Sequence, residues 1–258
     1  MSDEYKTVTL DADNVADEHI CCAIGNDAVN AARADQKREW LRHQFPHGHV
    51  FKKIDVRGKV FIEYVPAERA WAPIDASGYT FIQCFWVSGR FKGQGFGRRL
   101  LEECEADVAD THGLVAITSP KKRPFMVDKK FYLAHGFELC DQAEPYFELV
   151  VKRFSSGAPE PKFRDQVRNP ELPGAKGLDF YYSDTCPFNG DFVAELAAIG
   201  RERGLEVRIH KTASAEEAQA LPAAWGIYSL FYDGQFVAHD ITPPKKFPAL
   251  LDELAAGK

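Results

Sequence analysis

From Val87 to Gly97 the chain reads Val-Ser-Gly-Arg-Phe-Lys-Gly-Gln-Gly-Phe-Gly, with glycine at positions 93, 95 and 97. Glycine at every second residue removes the side chains that would keep a ligand off the backbone. The run lies between an apolar segment at 79–87 and a helical pattern at 97–112. Its amide N–H groups therefore converge at the positive end of a helix, which is a cradle for phosphate. Arg98 and Arg99 sharpen the reading. Cations in a first helical turn oppose the macrodipole by roughly 0.3–1 kcal/mol each, and a bound anion removes that opposition.

Two common phosphate loops fit poorly. A Walker loop ends in Gly-Lys-Ser/Thr, where this chain has Phe96-Gly97-Arg98. The dinucleotide fingerprint needs a third glycine where Arg98 stands and a lone acid about 20 residues later. Arg90-Phe-Lys-Gly93-Gln-Gly95 instead follows the pattern Arg/Gln-x-x-Gly-x-Gly/Ala, and Phe131-Tyr132-Leu-Ala-His-Gly136-Phe137 follows Tyr-x-x-x-Gly-Phe. On these two motifs and the order of its elements, the segment 1–154 resembles the GNAT superfamily of N-acyltransferases. The resemblance implies that Val87, Arg90, Phe91, Lys92, Gly93, Gln94, Gly95, Phe96, Gly97 and Arg98 hold the pyrophosphate and arm of acetyl-coenzyme A, the acyl donor. It also implies that the strand at 79–87 splays from its neighbour and pairs with the pantetheine, with a free N–H near Val87 polarising the thioester. Tyr132 stands where the family often carries the acid for the departing sulfur, and a phenol of pKa near 10 suits that task; its alternative is a packing role.

Acetyl transfer also needs a neutral amine, hence a route for its proton. The strand Thr80-Phe-Ile-Gln-Cys-Phe-Trp-Val carries no carboxylate, so Glu63 on the adjacent hairpin is the nearest candidate base. Inside Phe61-Ile-Glu-Tyr-Val65 an inward glutamate is costly unless functional; an outward one is an ordinary surface charge. Gln83 and Cys84 should face opposite sides of their strand, so that one looks into the acceptor cleft. Lys121, Lys122 and Arg123 are candidates for the 3′-phosphate or a solvated face. The base stays open.

The 258 residues suit two domains, and a net charge of −6 gives no footprint for nucleic acid. No apolar run has the length of a membrane span, and the opening Met-Ser-Asp-Glu-Tyr-Lys is unlike a signal peptide, which points to the cytoplasm and reduced thiols. The six cysteines form no Cys-x-x-Cys, and no metal site is expected, although His19, Cys21 and Cys22 are neighbours.

Residues 155–176, rich in proline and glycine, read as a linker to a second domain at 177–258. There the pattern is βαβαββα with a hairpin at Asp233-Gly234, and Cys186-Pro-Phe-Asn189 resembles the Cys-Pro-Phe/Tyr-Cys motif of glutaredoxins with the second cysteine replaced. The fold class expected is therefore α/β (α+β): a GNAT fold with a mixed central sheet plus a smaller thioredoxin-like domain, together similar to the YoaP-type acetyltransferases. A thiol at a helix N-terminus has a lowered pKa, which makes Cys186, with Cys84, a candidate thiol at the acceptor site. The second domain is expected to shape the acceptor cleft or to build a homodimer. The activity implied is N-acetylation of a small amine or amino-acid-like metabolite; the alternative is a coenzyme A-binding thiol sensor without turnover.

Overall fold

β-branched and aromatic residues fill the hairpin that carries Glu63, and the chain there forms β2 (Val50–Ile54) and β3 (Val60–Pro66). Every residue of β3 except Pro66 is buried, because helices cover both faces of the sheet it occupies. The computed structural model describes residues 5–257; residues 1–4, read above for targeting, lie outside them. Around the hairpin stand β1 (Thr7–Leu10), α1 (Ala28–Gln44), β4 (Ile74–Asp75), β5 (Thr80–Val87), α2 (Phe96–Asp107), β6 (Gly113–Thr118), α3 (Lys129–Ala134), β7 (Glu138–Ala143) and β8 (Phe147–Arg153). Seven of these strands make one mixed sheet in the order β1-β2-β3-β5-β6-β8-β7. Its single parallel pair is β5 with β6, and that pairing is confined to Thr80↔Leu114 and Phe81↔Val115. Beyond Phe81 the two strands part.

The remaining chain forms β9 (Lys162–Phe163), β10 (Leu178–Ser183), α4 (Asn189–Glu202), β11 (Val207–Thr212), α5 (Ala215–Gln219), β12 (Tyr228–Tyr232), β13 (Gln235–Ala238) and α6 (Phe247–Ala255). A four-stranded sheet runs β11-β10-β12-β13, with β10 parallel to β11 and antiparallel to β12. The segment read as a linker is packed: β9 pairs with β4, and Phe163 and Val167 are fully buried. Arg168 forks onto Asp141, and Arg164 reaches Gln219. The second sheet unit also shares cores with the first. Ala224 and Trp225 join the cluster around Val65 and Phe81, and Ala215, Ala218 and Leu221 join that of Trp40 and Trp71. Gly226 permits this approach, since a Cβ there would meet the Trp71 carbonyl oxygen at 1.7 Å.

Several boundaries differ from expectation. The helix expected at 97–112 stops at Asp107, so Gly113 opens β6 instead of capping a helix. The helix that carries the Tyr-x-x-x-Gly-Phe motif starts after Asp128, whose carboxylate accepts the Lys130 N–H. Strand β7 was not anticipated: it is a sheet edge, and its polar Glu-Leu-Cys-Asp-Gln sequence is mostly exposed. On α4 the buried face is Val193, Leu196, Ala197 and Gly200, while Phe192 turns to the guanidinium of Arg33.

Candidate active site

The gap between β5 and β6 opens into a cleft of about 630 Å³. Its walls include Val87, Phe91, Lys92, Gly93, Gly95, Phe96, Gly97 and Arg98 of the glycine loop, the segment 122–128, and Phe131. Of the expected cofactor residues, Arg90 and Gln94 stand apart from these walls; Gln94 donates to the Arg90 carbonyl and the Arg90 guanidinium lies over the Phe91 ring. The three glycines have different reasons. Gly93 and Gly95 hold positive φ of 74° and 86°, and a Cβ on either would meet nothing within 4 Å. They face open space, as a backbone surface for a ligand does. At Gly97 a Cβ would stand 3.3 Å from the Phe131 ring, so that glycine lets α2 pack on α3. Gly95 is the N-cap of α2 and offers no side-chain acceptor, which leaves first-turn N–H groups for an anion. The cations of that turn are partly offset already: Arg98 pairs with Glu102 and Arg99 with Glu103.

On β5 a bulge changes the expected alternation. Glu63 pairs with Cys84 and Tyr64 with Ile82, so Gln83 is the extra residue. Its amide oxygen accepts the Trp71 N–H, and Cys84 packs with the cluster that contains Trp71 and Trp40. Both side chains thus face the α1 side, where opposite faces had been expected. The reason is the bulge, which shifts the pleat by one residue.

Glu63 points inward. Its Oε2 accepts the Lys37 ammonium at 2.7 Å and His49 Nε2 at 3.0 Å, with all three side chains almost completely buried. Lys37 also donates to the Thr185 carbonyl at 2.7 Å and lies over the Trp40 ring at 4.1 Å. Burial works against the Glu63 carboxylate, yet Lys37 and then His49 prevail and hold its pKa below the usual range. Burial likewise pulls Lys37 down and Glu63 more than restores it. For His49 burial wins over Glu63, so the ring is neutral and Nε2–H is the donor.

Three thiols border this array. Cys22 Sγ lies 3.9 Å from Glu63 Oε1, Cys84 is the cross-strand partner of Glu63, and Cys186 follows Thr185. Cys186 also differs from expectation. It does sit at the start of α4, but burial outweighs the N–H of Phe188 and the Lys37 charge, and its pKa is raised. Among the described residues no three His, Cys, Asp or Glu side chains are arranged to hold a metal ion. Lys37, His49 and Thr185 were absent from the sequence reading. The only local signal was a lysine on the mostly polar helix α1, which reads as surface.

Tyr132 is almost wholly buried, with its ring against Phe131 and Phe137, and Phe131 is the residue that reaches the cleft wall. Burial pushes its phenol up, so it is protonated at neutral pH. Its hydroxyl makes no hydrogen bond among the described residues.

With this geometry in view, the Acetyltransferase (GNAT) family profile matches residues 13–137 and the YoaP-like profile matches residues 207–248. Over 250 residues the chain is 39% identical to the uncharacterized N-acetyltransferase YoaP of Bacillus subtilis (strain 168), covering 96% of this chain and 99% of that protein. The chain belongs to the GNAT acetyltransferase family. Solved GNAT structures with which it aligns include YhbS of Escherichia coli in complex with CoA, at 14% identity and a TM-score of 0.38 over 62% of this chain and 90% of that one. A Brucella melitensis GNAT acetyltransferase in complex with acetyl-CoA aligns at 14% identity and a TM-score of 0.39, over 62% of this chain and 96% of that one. Within this GNAT chain the mixed sheet carries both family motifs: one at the N-terminus of α2, the other on α3 and the turn after it.

Proposed function

We propose that the protein transfers acetyl from acetyl-coenzyme A directly to a small amine or amino-acid-like metabolite. The observation that carries this reading is the parting of β5 and β6 after Phe81, beside the positive-φ glycines at the head of α2. The loop Gly93–Gly97 would take the pyrophosphate on its N–H groups, and the unpaired edge of β5 would take the pantetheine. Hydrogen bonds from that edge to the thioester oxygen stabilise charge as it develops. The amine nitrogen attacks the thioester carbon, the C–S bond breaks, and the nitrogen's proton passes to solvent. Tyr132, buried next to the cleft-lining Phe131 and protonated, would give its proton to sulfur once the donor is seated and take one back from solvent.

Glu63 enters this reading as a positioning residue. A carboxylate held at lowered pKa by Lys37 is a poor base for an alkylammonium, so the acceptor arrives as its neutral amine. The second unit, with its βαβαββα order and sheet β11-β10-β12-β13, is read as a thioredoxin-like domain that closes the acceptor side through the Thr185–Cys186 loop. A cytoplasmic setting with reduced thiols goes with this reading.

The second reading, a coenzyme A-binding thiol sensor, draws on the grouping of Cys22, Cys84 and Cys186 about one ion pair. A thiol-release assay with acetyl-coenzyme A over a panel of amines separates the two. Turnover with an amine supports transfer. Tight acetyl-coenzyme A binding without an acceptor at any concentration supports the sensor.

A further inference from the structure

The segment 122–128 brings two cations into the cleft, the exposed Lys122 and the half-buried Arg123, and neither has an ion-pair partner among the described residues. Arg123 lines the cavity, its guanidinium carbon lies 3.3 Å from the centre of the Tyr146 ring, and its Nε is sealed from solvent with no partner. Among the described residues no carboxylate stands within ion-pair distance of it, whereas Arg98 on the same walls is paired with Glu102. Asp240 is nearby but contacts His239, at 3.7 Å.

This guanidinium is held in place from below. The Tyr146 hydroxyl bonds His239 Nδ1 at 2.8 Å, and His239 Nε2 bonds the Pro124 carbonyl at 3.0 Å. One fully buried imidazole therefore fixes both the ring under Arg123 and the residue after it. A planar cation, stacked and unneutralised among Phe85, Trp86, Phe125 and Met126, is pre-organised for a planar anion.

The faces of the sheet say which anion. The glycine loop and α2 cover the face that carries Phe85, Val87 and Leu114. Tyr146 packs on the opposite face, with the cluster of Phe81, Val115 and Leu149. Phe125 touches Trp86, whose side chain is also on that opposite face. The donor's phosphates belong with the loop, whereas Arg123, stacked on Tyr146, marks the part of the shared cleft that leads to the opposite face.

We infer that Arg123 binds a carboxylate carried by the acceptor, so that the acceptor is an amino acid or similar amino carboxylate, and that His239 of the second unit sets its position through Tyr146. The inference rests on the acetyl-transfer reading. The anion chemistry is shared with the donor's phosphates, and the test separates the two sources. Initial rates would be compared for amino acids and their C-terminal amides, in wild type and Arg123→Gln, with calorimetry of acetyl-coenzyme A on both proteins. The amide's amine is the less basic and the readier nucleophile, so the comparison is biased against the proposal.

The expected result is a roughly 10- to 100-fold preference in kcat/KM for the best acid over its amide, the worth of a charge-assisted hydrogen bond or two. Arg123→Gln should level the pair and leave acetyl-coenzyme A affinity unchanged. Tyr146→Phe, which keeps the ring and loses the anchor to His239, should erode the preference partway. Equal rates for acids and amides in wild type overturn the proposal, as does a preference that survives Arg123→Gln. Weakened acetyl-coenzyme A binding in Arg123→Gln assigns the cation to a donor phosphate and also overturns it. If no amine is acetylated, the transfer reading fails separately. Binding of N-acetyl amino acids against N-acetyl amino-acid amides to the coenzyme A-saturated protein then decides: a tenfold preference for any acid supports the site, and none overturns it.

Discussion

Lys37 and Glu63 meet at 2.7 Å with both side chains sealed from solvent, and the same ammonium bonds the Thr185 carbonyl, 148 residues further along the chain. One buried ion pair thereby ties α1, β3 and the loop before α4 together. Removing one member strands the other as an uncompensated charge, which costs about 3–5 kcal/mol. Lys37→Met and Glu63→Gln should each destabilise by that order. The double variant should lose less than the sum, because no charge is then left buried. Denaturant titration measures all three, and a single-variant loss under about 1 kcal/mol would contradict the assignment.

The titration of this array has a definite sign. Glu63 is depressed below its ordinary 4.5, so its contribution is present above that value and lost as pH falls through the folded pKa. Lys37 is raised above 10.5, so its contribution is present below that value and lost as pH rises through the folded pKa. His49 acts earlier. Its folded pKa is below 6.5, so below pH 6.5 the unfolded chain takes up a proton that the native state refuses. Stability should fall as pH drops from 6.5, by at most about 1.4 kcal/mol per unit from this residue. Melting temperatures of wild type and His49→Gln between pH 5 and 8 check it; the variant should show the shallower slope.

The two classes of glycine in the loop should behave differently. Gly95→Val should abolish acetyl-coenzyme A binding, because the new side chain fills the space that the ligand uses and strains a φ of 86°. Gly97→Ala should act through the Phe131 contact at 3.3 Å, as a loss of stability of about 1 kcal/mol, with residual binding. Calorimetry paired with thermal melts distinguishes them, and unchanged affinity in a folded Gly95→Val protein rules out the cradle.

Tyr132→Phe should lower kcat by roughly 10²–10⁴-fold, the usual worth of a positioned acid, with little change in acetyl-coenzyme A affinity. The hydroxyl has no protein partner among the described residues, so its removal costs the fold little. Near-normal turnover in the variant would leave Tyr132 as a packing residue of α3.

Cys186→Ser should keep acetylation within a few-fold of wild type. Burial keeps the thiol protonated, so a hydroxyl of similar size replaces it without loss of a reactive anion. A severe loss with normal donor affinity would make this thiol part of the chemistry.

The glycine turn between β5 and α2 was legible in the sequence because it is local. Glycine spacing, the strand before it and the helix after it are consecutive residues, and backbone N–H groups need no distant partner to converge. The element order of both units was legible for the same reason, since periodicity reports which face of each element must be covered. The edge strand β7 lacked such a pattern because neither of its faces is fully covered. Tertiary structure decided the rest. Only packing brings Lys37 from a polar helix to Glu63 on an apolar strand, where each makes the other's burial tolerable. Only the bulge at Gln83 sets which way Cys84 faces. The proline-rich segment at 155–176 looks detached by composition, yet Phe163 and Val167 anchor it in a core assembled from both units. Arg123 read as one cation in a charged run; it became a guanidinium without an ion-pair partner among the described residues, set in a cleft through Tyr146 and His239, which stand 93 residues apart. Such a site arises from where long-range contacts leave a charge unmatched, and no stretch of consecutive residues records that.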